Sequence, residues 1–154
     1  MNWGETLLKL ALAIVLGGLL GIERETQGKP AGLRTVIIVC LAATIYVVAA
    51  RQAALDAGEP IEPARLMSGV AGGVGFLGAG LILKSDSEVR WLTTAATLWA
   101  AAGMGLTIGL GQYALACAGT AALFVVLSLL GRLEDRVFGR PTYEERDRPR
   151  RPRD

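Results

Sequence analysis

Apolar and charged positions are segregated along this chain into long uncharged blocks with charges between them. The first block supports a helix over Thr6–Ile22, with Lys9 reaching toward the near interface along its own stem. The second covers Thr35–Ala50, sixteen residues without a charge, with Ala31–Leu33 as an extending flank. The third runs Leu66–Leu83. Then Trp91–Gly131 holds forty-one residues with no charge. A membrane crossing takes roughly 20 apolar residues, so this last block suits two crossings. Gly109-Leu110-Gly111-Gln112 is the one polar, glycine-rich turn signal near its middle, which predicts helices over Leu92–Ile108 and Tyr113–Leu130.

The pattern therefore predicts an all-α fold: a polytopic membrane bundle of five transmembrane helices. Residues 1–131 form the membrane domain, and 132–154 form a basic, proline-containing cytoplasmic tail that is disordered beyond a short helical start. No small-x-small cleavage site follows the first apolar run, so it reads as a retained helix rather than a signal peptide.

Composition agrees with lipid as the solvent. Hydrophobic residues make up 52% of the 154, and mean hydropathy is +0.43. A charge at the bilayer centre costs about 2.5–3.5 kcal/mol on insertion scales, which explains the empty blocks. Charge asymmetry sets the orientation. With the N-terminus outside, thirteen of sixteen basic residues fall inside, and five of eight still do when the tail is left out. The expected topology is N-out, C-in. The tail arginines are placed to meet anionic lipid, making membrane lipids a partner. Net charge is only +2, and acids nearly balance the tail, so a nucleic-acid arm is not expected.

Candidate chemistry is sparse. There is no histidine, no Gly-x-Ser-x-Gly elbow and no zinc spacing, and Ser68 and Lys84 lie too far apart for a Ser–Lys dyad. Cys40 and Cys117 each sit inside an apolar block, as small packing residues. No enzyme, cofactor or resident metal is expected. The third block reads Ser68-Gly-Val-Ala-Gly-Gly-Val-Gly-Phe-Leu-Gly-Ala-Gly80. Gly69 and Gly73 form a GxxxG pair, and Gly75, Gly78 and Gly80 extend the small surface. Two readings fit: close helix packing at the bundle centre, or a helix that unwinds to offer carbonyls to an ion. In the fourth helix Thr93, Thr94 and Thr97 put hydroxyls at i,i+3 and i,i+4 spacing. They either bond back to the preceding turn or form a polar seam.

The stretches Gly21-Ile-Glu-Arg-Glu25 and Gly28-Lys-Pro-Ala-Gly-Leu-Arg-Thr35 carry the charges of the first loop. Glu23 and Arg24 end the first helix and Arg34 begins the second, within reach of a Glu23–Arg34 pair. These charges either mark the lipid–water edge or form a polar cluster joined by Lys84, Asp86, Glu88 and Arg90. Carboxylates and hydroxyls suit hard cations such as Mg²⁺, yet no acid lies within any apolar block.

Four stretches taken together resemble the MgtC/SapB family of bacterial membrane proteins. They are Gly17-Gly-Leu-Leu-Gly-Ile-Glu-Arg-Glu25, Ala31-Gly-Leu-Arg-Thr35, Gly75-Phe-Leu-Gly-Ala-Gly80 and Leu92-Thr-Thr-Ala-Ala-Thr-Leu-Trp99, in the family's order over about residues 10–110. The resemblance implies an inner-membrane regulator linked to growth at low magnesium, to virulence in some pathogens and to membrane potential, and the small-residue faces suggest that it self-associates. It also implies a partner complex such as the F-type ATP synthase. The runner-up reading is a cation transporter or channel subunit. The family's polar motif positions map to Glu23, Arg24, Arg34, Thr35, Thr93, Thr94 and Thr97. Several members carry Asn-Thr where this chain has Thr93-Thr94, and that asparagine is tied to the ATP-synthase interaction. Longer members add a soluble C-terminal domain in place of the short tail.

Overall fold

A computed structural model describes residues 2–84, 89–130 and 133. Five helices follow in order: α1 (Trp3–Thr26), α2 (Leu33–Ala57), α3 (Pro63–Leu81), α4 (Leu92–Gly109) and α5 (Tyr113–Val125), the last continued by a π-helical turn, Val126–Leu130. Each of the five, α5 counted with its π turn, is long and apolar enough to cross a membrane. At 24 and 25 residues, α1 and α2 rise about 36 Å at 1.5 Å per residue, more than the ~30 Å hydrocarbon core. The protein is a multi-pass membrane helix bundle.

The predicted division of the long uncharged block holds. α4 stops at Gly109 and α5 starts at Tyr113. Gly111 takes φ +81 in the turn, and its N–H donates to the Ile108 carbonyl at 2.9 Å, while the Gln112 N–H donates to that of Thr107 at 2.8 Å. A left-handed residue closing the last turn of a helix is the conformation glycine adopts without steric cost. The first two helices exceed the predicted spans at both ends, because charges mark where lipid stops, not where backbone hydrogen bonding stops. Between α3 and α4 the chain adds a feature the all-α reading did not contain: a two-residue antiparallel ladder, β1 (Leu83–Lys84) with β2 (Val89–Arg90). Apart from the exposed, helical Leu133, the tail lies outside the described residues.

α4 is the centre of the bundle. Its span is 61% buried, against 11% for α3 and 17% for α5. α1 packs along α2, and both meet α4; α3 packs on α4 and barely touches α2. The helix directions follow from the close approaches. A Cβ on Gly17 would lie 3.1 Å from Cys40 Cβ, and one on Gly21 2.7 Å from Leu33 Cα, so α1 and α2 are antiparallel. A Cβ on Gly105 would meet the Cys40 carbonyl and Ala43, and one on Gly109 would lie 2.5 Å from Val47 Cβ, so α2 and α4 run parallel. In lipid, where apolar contact supplies no net drive, such backbone-to-backbone approach is what holds helices together.

This corrects the glycine assignment made from sequence. The close-packing positions are Gly17, Gly21, Gly105 and Gly109. Around Gly69, Gly73, Gly75 and Gly80 a Cβ would meet nothing within 4 Å, and at Gly78 it would only touch Ala95 at 3.6 Å. α3 is an unbroken helix at the periphery of the chain, so its glycines other than the buried Gly78 face space that this chain leaves open.

Candidate functional site

The C-terminal turn of α1 carries the densest buried charge in the described structure. Glu23 and Arg24 are 5% and 2% exposed. Arg24 Nε donates to Glu23 Oε2 at 2.5 Å and Arg24 Nη2 to Glu23 Oε1 at 2.7 Å, a two-pronged guanidinium–carboxylate fork. Gln27, one turn on, closes the cluster: its Nε2 donates to Glu23 Oε1, and its Oε1 lies 3.5 Å from Arg24 Nη2. The backbone is tied as well. Thr26 Oγ1 donates to the Glu23 carbonyl at 2.9 Å, and the Lys29 N–H to that of Arg24 at 3.1 Å. Gly28, at φ +64, makes the reversal.

The next carboxylate belongs to α2. Glu25 Oε2 accepts the Leu33 N–H at 2.9 Å, satisfying a first-turn donor that no side chain of α2's own N-cap, Gly32, reaches. A Cβ on Gly32 would overlap that carboxylate, so a side chain there would displace the Glu25 cap. The α1–α2 corner is thus held by backbone approach at Gly21, by the Glu25 cap and by the buried fork.

The pairing expected from sequence, Glu23 with Arg34, does not form. Both Glu23 oxygens are taken by Arg24 and Gln27, and Arg34 is exposed. Arg34 and Thr35 instead line a surface pocket of about 540 Å³ with Glu25, Pro30, Gly32 and Leu33. The threonine face of α4 divides too. Thr94 and Thr97 are buried, whereas Thr93 is exposed. Thr97 Oγ1 donates to the Thr93 carbonyl at 2.8 Å, the back-bonding arrangement. Trp91, just before α4, takes φ +71, an uncommon conformation for a bulky residue. The loop-three side chains of Lys84, Asp86 and Glu88 lie outside the described residues, and Arg90 is half-buried.

Two buried polar groupings went unread in the sequence. Lys9 is 3% exposed and pairs with Glu5 at 2.8 Å, with Arg51 of α2 at 3.6 Å from the same carboxylate. Lys9 thus reaches toward the N-terminal end of α1, as expected, and finds its counter-ion there in the 40% exposed Glu5. The i,i+4 spacing of Glu5 and Lys9 was the available signal. Gln27, at i+4 from Glu23, offered the same signal. Thr44 on α2 donates to the Gly105 carbonyl of α4 at 3.0 Å and also to its own Cys40 carbonyl, and no sequence pattern marks it.

Among the described residues no group of three or more His, Cys, Asp or Glu is placed to hold a metal. In this arrangement each Glu23 carboxylate oxygen already accepts from a protein donor, so a cation reaching it would compete with Arg24 and Gln27.

Comparison with known proteins decides the family. The model of the MgtC family matches residues 10–136. The chain belongs to the MgtC family. All four sequence stretches that suggested it lie within the match, and two of them build the α1–α2 corner. Among curated relatives, "Protein MgtC" of Salmonella typhimurium (strain LT2) is 37% identical over 139 residues, covering 90% of this chain and 58% of that protein. "Protein SrpB" of Synechococcus elongatus is 37% identical over 153 residues, covering 93% and 84%. "Putative magnesium transporter YhiD" of Escherichia coli (strain K12) is 33% identical over 140 residues, covering 88% and 65%. The chain thus spans about three fifths of the length of the Salmonella relatives. No solved structure matches it.

Proposed function

We propose that this MgtC-family chain is a non-enzymatic regulator in the bacterial inner membrane, N-out and C-in, acting in adaptation to low magnesium. The observation that carries the reading is the closure of the Glu23–Arg24–Gln27 cluster. Ionisable groups that serve a transport path must release and rebind their ion. Here the buried carboxylate at the α1 end is held by its own neighbours, and the other described buried charge, Lys9, is held by Glu5. Such a corner suits a fixed docking shape better than a conduit. The exposed Arg34 and Thr35 beside it are the groups available to a partner, a membrane complex of the F-type ATP synthase kind. Self-association in the membrane belongs to the same reading.

A second reading, a magnesium or other cation transporter, draws on the name carried by the Escherichia coli relative. Liposomes containing the purified protein separate the two. No Mg²⁺ or proton flux above protein-free liposomes, with a membrane complex copurifying from cells, is expected for the regulator. Flux that Glu23→Gln or Arg34→Gln abolishes would overturn it.

A further inference from the structure

The peripheral position of α3 leaves a groove of about 680 Å³ between it and α2. We propose that this groove is a lateral site for one anionic glycerophospholipid, its acyl chain laid along Gly69 and Gly73 and its phosphate on Arg65. Three observations converge on that occupant.

The first is shape. The α3 wall runs from Leu66 to Leu77, eleven residues on, a rise of roughly 17 Å at 1.5 Å per residue. That is about half of a ~30 Å hydrocarbon core, the depth of one leaflet. The groove has this room because its α3 wall lacks side chains at Gly69 and Gly73, around which a Cβ would find nothing within 4 Å.

The second is chemistry. Among the described residues Arg65 is the single charged one lining the groove, and the rest of the lining is apolar apart from the hydroxyl of Tyr46. A long apolar trough ending in one cation matches an acyl chain ending in one phosphodiester.

The third is placement. Arg65 is in the first turn of α3, at the end of the span, where a headgroup lies. Its guanidinium is 87% exposed, and its ion-pair partner Glu62 is at 3.8 Å and itself 69% exposed, so a phosphate can compete for it. The bilayer supplies that anion at this depth all around the bundle, whereas a second protein chain would have to bring a matching acid.

The test uses the full-length protein in nanodiscs of equal phosphatidylglycerol and phosphatidylethanolamine, released into mild detergent and weighed intact by native mass spectrometry. One retained phosphatidylglycerol per chain is expected, in preference to phosphatidylethanolamine. Arg65→Gln should reduce that preference about fivefold, the size of one basic residue's attraction to an anionic surface. Gly73→Leu should abolish retention while leaving the melting temperature unchanged or higher, because the new side chain enters open space and leucine is the better helix former. Equal retention of the two lipids, or a full lipid complement on Gly73→Leu, would overturn the proposal. So would a dimer mass that Gly73→Leu converts to monomer, which would assign the groove to a second copy.

Discussion

Thr44 of α2 shares its hydroxyl hydrogen between the carbonyl oxygen of Gly105 in α4 and that of Cys40 in its own helix, each 3.0 Å away, where a Cβ on Gly105 would run into the α2 backbone. The bond to α4 exists because Gly105 lacks a side chain, and it fixes the central pair of helices at one depth. Replacing Thr44 by Val keeps the shape and removes the bond. A loss of about 0.6 kcal/mol, and not more than about 1.7, is expected from interhelical hydrogen bonds in membranes. Thermal unfolding in detergent reads it as a small drop in Tm. No drop at all would mean that packing alone sets the α2–α4 register.

The glycines divide into two classes that one paired experiment distinguishes. Gly105→Ala places a methyl group against the Cys40 carbonyl and 2.7 Å from Ala43 Cβ, with backbone as the obstacle. A cost of roughly 1–3 kcal/mol is expected, as for overpacking elsewhere. Gly69→Ala meets nothing and should be neutral or stabilising by up to about 1 kcal/mol, the helix-propensity difference. Equal effects on Tm would contradict the placement of α3 at the periphery.

The Lys9–Glu5 pair is asymmetric, and its two truncations should differ. Lys9 is buried, while Glu5 is 40% exposed and has Arg51 as a second neighbour. Glu5→Gln leaves an ammonium buried with only a neutral amide beside it. Lys9→Met leaves a carboxylate with access to water and to Arg51. The first substitution should therefore cost more stability than the second, because an uncompensated buried charge is the costly outcome. Comparing the two Tm values checks it, and the reverse order would mean that the Lys9 ammonium is not buried.

How much of this was legible in the sequence differs from element to element. The five spans and the α4–α5 turn were readable, because an uncharged run has a length the bilayer fixes and Gly111 marks its break. The packing glycines were not, although Gly17 with Gly21 and Gly105 with Gly109 carry the same i,i+4 spacing as Gly69 with Gly73. Spacing shows that a helix has a smooth face; only the arrangement of neighbours shows whether anything lies against it. At the site, Glu23 and Arg24 were read as charges at the end of the first helix, and Glu23 was matched to Arg34 instead of to Arg24. Reasoning from the membrane boundary joined charges across the loop, whereas adjacent side chains on the last turn of α1 reach one another first. The hydroxyls of α4 were found by spacing, yet which of them turn inward depends on the rotation of α4 in the bundle.

The account rests on Glu23 and Arg24 being one closed, buried pair, and a double-mutant cycle tests that directly. Glu23→Gln, Arg24→Gln and the double variant are unfolded in the same detergent as the parent. Each single change should cost about 3–5 kcal/mol by leaving its partner charge unpaired, and the double variant should cost clearly less than the two together. Additive costs would show that the two side chains do not hold each other, and the closed corner would have to be given up.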